Sequence, residues 1–204
     1  MDHAYIRNRI GAHQPRTEVT RGDHNLNPGM DPKGPLTPAA VLVPLILHDA
    51  GITVLFTQRT QHMAKHPGQI SFPGGHVDDT DADAEATALR ETEEEVGLSH
   101  EHIEIIGRLD CYVIRTGFLV TPVVGLVQPP FEIKPDAYEV DEVFEVPLSF
   151  LMNSDNHERH SRELKGQQRE YYAMPYEERY IWGATAGMLV NLHDILNHPP
   201  EETT

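Results

Sequence analysis

Three glutamates near the middle of the chain have a spacing that could do chemistry. Glu91, Glu94 and Glu95 stand at positions i, i+3 and i+4, so on a helix their carboxylates would project from one face within reach of a common point. Nine acidic residues and one arginine lie between positions 78 and 95, and like charges three or four residues apart repel one another. Because a bound cation would remove that repulsion, the spacing predicts a metal site on one helical face.

The donor type indicates which metal and which reaction. Carboxylate oxygens favour Mg²⁺ or Mn²⁺ over softer metals, and Mg²⁺ usually keeps several waters and shares its coordination with substrate phosphates. One or two such ions would bridge the glutamates and a diphosphate and activate a water for in-line attack on phosphorus. Arg90 lies off this face and can pair with Glu93 or Glu94, which predicts a structural role. The alternative is an acidic helix that simply faces solvent, because most charge runs do so.

A helix over Ala84–Val96 must position these glutamates. Gly97 fits the left-handed conformation that ends a helix, and Leu98 can fold back onto it. A second helix is predicted over Ala184–Leu196, where apolar residues recur at helical spacing. We interpret that apolar stripe as core packing.

Apolar, β-rich runs predict a sheet between and before these helices. Strands interleaved with two helices favour an α/β fold arranged as an α/β/α sandwich. The predicted strands are Val41–Leu47, Ile52–Thr57, Ile103–Ile114, Leu119–Val127 and Val143–Val146. Residues 1–36 show no sustained period and are predicted to form an N-terminal arm that drapes over the domain or stays loose. Residues 37–198 form the predicted domain, and residues 199–204 a C-terminal tail.

Composition restricts the class of protein. A length of 204 residues favours a single domain, and a net charge of −16 opposes binding to nucleic acid or anionic membranes. The single cysteine, Cys111, cannot form an internal disulfide, and the chain start lacks the apolar core of a signal peptide. No apolar run approaches the roughly 20 residues of a membrane helix. We therefore expect a soluble cytoplasmic protein, with a homodimer as one option for its assembly.

The segment Arg90–Leu98, which follows the turn Gly74-Gly75, resembles the second half of the Nudix box. The family form is GX5EX7REUXEEXGU with U apolar, and Thr92 stands at one of the apolar positions. The first half differs from the family form. Asp81 stands where the family has Glu, and eight residues rather than seven separate it from Arg90. Neither Asp81 nor Glu85 takes the role of that glutamate by position.

The residues before this turn resemble the signature of the coenzyme A pyrophosphatase branch of the Nudix family, LLTXRSX3RX3GX3FPGG. The matching residues are Leu55-Phe56-Thr57-Gln58-Arg59-Thr60, Gly68 and Phe72-Pro73-Gly74-Gly75. Ala64 stands where the signature has its second arginine, with Lys65 beside it. The start of the second helix, Tyr180–Ala186, also resembles this branch.

The resemblance implies a Nudix-type α/β/α sandwich with a mixed β-sheet. It also implies hydrolysis of coenzyme A or its derivatives into 3′,5′-ADP and 4′-phosphopantetheine, with Mg²⁺ or Mn²⁺ as cofactor. Two other functions stay open: a Nudix enzyme acting on ADP-ribose, NADH or another nucleoside diphosphate derivative, and a Nudix module that binds a nucleotide without cutting it. Retention of all three helix glutamates counts against the binding module.

The helical spacing and the family resemblance together indicate the candidate site residues. The metal ligands are Glu91, Glu94 and Glu95, and the catalytic residues are Glu94, Glu91, Arg90 and Glu139. Either Glu94 or Glu139 could be the general base; Glu139 resembles in position an acidic residue of some family members, although such a loop glutamate is often merely exposed. Arg59 and Lys65 concentrate positive potential that fits a polyanion. Substrate binding is assigned to Arg59, Lys65, Gly74 and Gly75.

Overall fold

The β-sheet of the protein lies between two layers of helices. The computed structural model describes residues 1–16, 21–29, 34–62, 67–164 and 166–198. Its helices are α1 (His3–Ala12), α2 (Asp23–Leu26), α3 (Ala84–Val96), α4 (Leu148–Leu151) and α5 (Ala184–Asn197). Its strands are β1 (Arg21–Gly22), β2 (Thr37–His48), β3 (Gly51–Arg59), β4 (Ile70–Ser71), β5 (Gly74–His76), β6 (Ile103–Arg108), β7 (Tyr112–Ile114), β8 (Phe118–Val127), β9 (Val140–Pro147), β10 (Glu158–Leu164), β11 (Gln167–Tyr176) and β12 (Arg179–Trp182).

Alternate side chains of β2 pack against different helices. Leu42 belongs to a buried cluster with Ala88 of α3, whereas Val43 and Leu45 belong to the large cluster that contains Leu189 of α5. Successive side chains of a strand point to opposite faces of the sheet, so the two helices lie on opposite faces. The three-layer α/β/α arrangement is confirmed.

The large sheet of the described chain has nine strands and mixed pairing. Its path runs β1-β7-β8-β2-β3-β4, with β5 paired to β2, β6 to β8 and β9 to β3. β2 and β8 pair in parallel, while β2 and β3 form an antiparallel hairpin that closes between His48 and Gly51. The expected mixed sheet is therefore confirmed, and β2 and β3 lie near its centre.

The sequence predicted most of these elements but not all. Helix α3 has the predicted bounds, and α5 extends one residue beyond its predicted end. The run Ile103–Ile114 is divided into β6 and β7 around the buried Asp110. A second sheet, β10-β11-β12, was not predicted, because strands such as Glu158–Leu164 are rich in charged residues and lack a clear apolar alternation.

The N-terminal segment contains a helix that the sequence analysis did not find. Ile6 and Ile10 of α1 are 0% and 1% exposed and belong to the main core cluster. Only these two apolar side chains anchor the helix, so its sequence shows no sustained period. Of the two options for the arm, draping over the domain or staying loose, the segment His3–Ala12 follows the first. No helix in the described ranges combines the length and apolar character needed to cross a bilayer.

Candidate active site

Helix α3 carries the three glutamates and is capped at both ends. Asp83 accepts a hydrogen bond of 2.9 Å from the N–H of Ala86, which satisfies a donor at the helix start. Gly97 ends the helix with φ of 69°, a left-handed conformation that glycine adopts without strain. Leu98 is buried in a cluster with Val96. The predicted role of Gly97 and the return of Leu98 onto the helix are confirmed.

The loop before β9 is held to the C-terminal end of α3. The N–H of Lys134 donates to the carbonyl of Val96 over 2.8 Å, and the N–H of Asp136 donates to that of Glu95 over 2.9 Å. Carbonyls in the last turn have no partner within the helix, so the loop satisfies them. Glu139 follows in the same loop and is thereby brought to the glutamate-bearing helix.

Glu95 points into the protein. Its side chain is 6% exposed, and its Oε2 accepts a hydrogen bond of 3.1 Å from the N–H of Gly74. Burial raises the pKa of Glu95 to about 7, although the N–H of Gly74 and the charge of Arg59 both act to lower it. The negative charges of Glu139 and Glu91 raise the pKa further. The ionisation of Glu95 therefore depends on two neighbouring carboxylates as well as on its burial.

Glu91 lies against the glycine turn. A Cβ placed on Gly75 would collide with the carboxylate of Glu91, so only glycine permits this approach. The guanidinium of Arg90 contacts two glutamates through one nitrogen: Nη1 donates to Glu91 Oε1 over 2.9 Å and to Glu94 Oε2 over 3.1 Å. Glu94 is 60% exposed. The predicted pairing of Arg90 with Glu94 and its structural role are thus visible in the geometry.

Asp81 is tied to the same arginine. It accepts hydrogen bonds from Nε and Nη2 of Arg90 over 3.0 and 2.9 Å, and another from the hydroxyl of Thr87 over 2.8 Å. The Arg90 guanidinium is the first cause that holds the pKa of Asp81 well below its usual range. Glu85 instead pairs with Arg108. Asp81 therefore fixes Arg90, and Glu85 lies apart from the three glutamates.

Arg59 joins β3 to this acidic group. Its Nη1 lies 3.3 Å from Glu95 Oε1, and its Nη2 lies 3.4 Å from Glu139 Oε2. The side chain is 21% exposed, so it does not end β3 in open solvent. Glu139 is 40% exposed and, through Arg59, shares a partner with Glu95. Lys65, the other predicted anion contact, lies outside the described residues.

In the structure, the side chains of Glu91, Glu94 and Glu95 do not meet at a common point as expected. No group of three or more acidic, histidine or cysteine side chains in the described ranges comes close enough to hold a metal ion. The reason is that Glu94 turns to Arg90 while Glu95 turns inward to Gly74 and Arg59. The chemistry of the donors still fits a hard cation, because all three side chains offer carboxylate oxygens.

Two features at the site are not predicted from the sequence. The N–H of Gly74 orients Glu95, although the glycine was predicted only to touch substrate. The second is the exposed ring of Tyr138, the residue directly before Glu139. The position of Tyr138 directly before a predicted catalytic residue was the available signal.

Comparison with known proteins gives a family match. Residues 36–165 match the family model of the NUDIX domain. The chain is 42% identical over 154 residues to the Uncharacterized Nudix hydrolase NudL of Enterobacter sp. (strain 638). The aligned region covers 76% of this chain and 80% of the relative. It is 38% identical over 174 residues to the protein of the same name from Pectobacterium atrosepticum, which covers 85% of this chain and 90% of the relative.

Among solved structures, the chain resembles an Ap4A hydrolase binary complex from C. elegans, with a TM-score of 0.48 and 23% identity. That likeness covers 54% of this chain and 80% of the other. The family match itself spans every predicted site residue, from Arg59 to Glu139, whereas helices α1 and α5 lie outside it.

Proposed function

The chain belongs to the Nudix hydrolase family, and from that premise we propose that it hydrolyses the pyrophosphate bond of coenzyme A or its derivatives. The products would be 3′,5′-ADP and 4′-phosphopantetheine, and the cofactor Mg²⁺ or Mn²⁺. Family membership makes the protein a pyrophosphate-hydrolysing enzyme that acts on nucleoside diphosphate derivatives and uses a divalent metal. The identity of the substrate and of the metal is our proposal.

The observation that supports this substrate is the contact of Arg59 with Glu95 and Glu139. Arg59 belongs to the segment that resembles the coenzyme A signature, whereas Glu95 belongs to the Nudix helix. Within that signature, Phe72 stacks on Phe56 of β3 with ring centroids 5.1 Å apart, which joins its two halves. The two sequence patterns therefore meet at one place, which is the arrangement expected if both act on the same substrate.

We assign the metal to the carboxylates of Glu91, Glu94 and Glu95, with Arg90 as the group that positions two of them. When bound, a divalent cation lowers the pKa of a coordinated water and neutralises charge on a diphosphate. Arg90 holds Glu91 and Glu94 near each other, and Asp81 holds Arg90 in turn. A hard cation suits this set because every proposed ligand atom is a carboxylate oxygen.

The remaining roles concern protons and substrate. Glu94 and Glu139 are the two candidates for the general base, and both are exposed enough to meet a water, at 60% and 40%. Among the described residues, two of the five N–H donors of Arg59 contact glutamates, and the others would be able to meet a phosphate. The turn Gly74-Gly75 offers backbone close to Glu91 and would border the diphosphate.

A substrate panel tests this proposal. The full chain would be incubated with Mg²⁺ or Mn²⁺ and with coenzyme A, acyl-coenzyme A, ADP-ribose, NADH or oxidised nucleoside triphosphates, and kcat/KM compared. We expect coenzyme A or an acyl derivative to give the highest value, with 3′,5′-ADP and 4′-phosphopantetheine identified by mass. The hydrolysis rate of the Glu94→Gln variant gives the background rate for each substrate. A clear preference for ADP-ribose or NADH would overturn the substrate and leave the family assignment intact.

A binding measurement separates this enzyme from a protein with an inert acidic surface. Mg²⁺ together with coenzyme A should raise the melting temperature, because a ligand that binds only the native state stabilises it. An equal concentration of Mg²⁺ alone is the control for a general ionic effect. No rise with any nucleotide in the panel would contradict binding at this site.

A further inference from the structure

An exposed aromatic ring lies at the border of the candidate active site. Tyr138 is 67% exposed, the highest exposure among the large apolar side chains of the described residues. Its ring packs on that of His62, with centroids 5.1 Å apart and the planes at 59°. One side of the tyrosine ring therefore has an aromatic neighbour, and much of the remaining surface is open to solvent.

The backbone of Tyr138 is fixed on both sides. Its N–H donates to the carboxylate of Asp136 over 2.9 Å, and its carbonyl accepts a hydrogen bond of 2.9 Å from the hydroxyl of Thr60. Thr60 is only 6% exposed, and its own N–H donates to the carbonyl of Glu139 over 3.0 Å. An open ring on an anchored backbone loses little further entropy when a ligand stacks on it.

His62 contacts the same residue, Thr60, that holds the backbone of Tyr138. Its Nε2 lies 3.4 Å from the hydroxyl oxygen of Thr60, so both rings are set by one buried side chain. Thr60 follows Arg59 directly, and Arg59 pairs with Glu95 and Glu139. We name the pair Tyr138 and His62 the aromatic platform. The platform is joined to the candidate active site at two points of the chain. His62 lies three residues after Arg59, and Tyr138 directly precedes Glu139.

We propose that the aromatic platform stacks the base of the nucleotide substrate. A planar purine matches the open ring of Tyr138, because aromatic rings stack on bases in an offset arrangement. A nucleoside diphosphate derivative places its base only a ribose away from the phosphates. The platform is one residue from Glu139, and consecutive Cα atoms lie about 3.8 Å apart, so base and phosphates can be engaged together. This inference rests on the proposed function, since coenzyme A supplies an adenine.

Binding measurements with a product-like probe test the platform without catalysis. Adenosine 3′,5′-bisphosphate and the same sugar bisphosphate without its base would be titrated into the full chain with Mg²⁺ present, using calorimetry. The wild type should bind the nucleotide more tightly than the base-free sugar. Tyr138→Ala should weaken binding of the nucleotide about tenfold and leave the base-free sugar unchanged. Tyr138→Phe keeps the ring and should stay within about twofold of the wild type.

The matched control is Tyr180→Ala, which removes another exposed tyrosine, 39% exposed, from strand β12. Its nucleotide affinity should equal that of the wild type. Equal losses for both ligands in Tyr138→Ala, or no loss at all, would overturn the platform. So would a wild type that binds the two ligands equally. If the protein binds the nucleotide through Tyr138 yet does not cleave coenzyme A, the proposed substrate fails while the platform stands.

Discussion

The guanidinium nitrogen Nη1 of Arg59 lies 3.3 Å from Oε1 of Glu95, so the last residue of β3 is paired with a buried carboxylate of α3. Besides its burial, the negative charges of Glu139 and Glu91 also raise the pKa of Glu95. The positive charge of Arg59 opposes them. Arg59 therefore offsets part of the effect of burial, which disfavours the negative form of Glu95 and raises its pKa.

Removing this arginine should impair catalysis. We expect Arg59→Ala to reduce kcat/KM about tenfold or more, since a charge-assisted hydrogen bond contributes roughly 1.5–3 kcal/mol. Loss of the guanidinium also removes a positive charge that lowers the pKa of Glu95, so in the absence of metal this carboxylate should stay protonated to a higher pH. The measurement is kcat/KM at saturating Mg²⁺. Arg115→Ala, at an exposed turn, is the control, and an undiminished kcat/KM in Arg59→Ala would contradict the role of Arg59.

Neighbouring glutamates on α3 allow a matched comparison. Glu94→Gln keeps the size of the side chain and removes the charge of a proposed metal ligand and candidate base. We expect kcat to fall about 10²–10⁴-fold with the fold intact. Glu93→Gln makes the same change at a residue that is 52% exposed and faces His100, and it should retain activity. Steady-state kinetics with circular dichroism would decide; an active Glu94→Gln enzyme would exclude Glu94 from catalysis.

The contact of Gly75 with Glu91 predicts a separation of activity from stability. In Gly75→Ala the new methyl group meets the end of the Glu91 side chain, which can move, rather than fixed backbone. We expect kcat/KM to fall at least about tenfold because the carboxylate is displaced, while the melting temperature changes little. Kinetics and thermal unfolding measure both effects.

Gly11→Ala serves as the control for this substitution. Gly11 lies in α1, where an added Cβ makes only an ordinary contact of 3.7 Å with the carbonyl of Ile106. Alanine favours helix by about 0.5–1 kcal/mol over glycine, so stability should rise slightly and activity stay unchanged. A Gly75→Ala enzyme with full activity would show that the position of the Glu91 carboxylate does not matter.

The sequence predicted α3 well because its signals are local. The spacing of Glu91, Glu94 and Glu95 and the stop at Gly97 lie within one segment, so helix bounds and the glutamate-bearing face follow from short-range rules. The direction of Glu95 does not. It depends on the N–H of Gly74 and on Arg59, which are close in space but distant along the chain. Side-chain direction at the site was therefore beyond sequence patterns.

The same distinction explains the N-terminal segment. Helix α1 shows no sustained apolar period, and its place is fixed by long-range contacts such as that of Arg9 with the carbonyl of Ile195. Asp110 makes three further contacts with this segment. It accepts hydrogen bonds from the N–H of Arg16 over 2.9 Å and from Arg21 Nε over 3.2 Å, and it lies 3.0 Å from Nε2 of His13.

This cluster predicts a pH-dependent contribution to stability. Burial acts to raise the pKa of Asp110, but the N–H of Arg16 and the charges of His13 and Arg21 outweigh it and lower the pKa below its usual value. A carboxylate with a depressed folded-state pKa stabilises the protein above its unfolded pKa of about 3.9, and this stabilisation is lost as pH falls through the folded-state value. Asp110 is 5% exposed, so solvent screens it little.

We therefore expect Asp110→Asn to lower the melting temperature by several degrees at about pH 5, corresponding to roughly 1–3 kcal/mol for a disrupted buried hydrogen-bond network. The difference from the wild type should shrink as pH falls through the folded-state pKa of Asp110, below which the wild-type carboxylate is itself protonated. Asp194→Asn removes the second carboxylate that Arg21 contacts; its side chain is 35% exposed, so its effect should be smaller at every pH. Thermal unfolding followed by circular dichroism gives both series. A difference between Asp110→Asn and the wild type that does not shrink on acidification while both proteins stay folded would show that the ionised form of Asp110 does not hold the N-terminal segment in place.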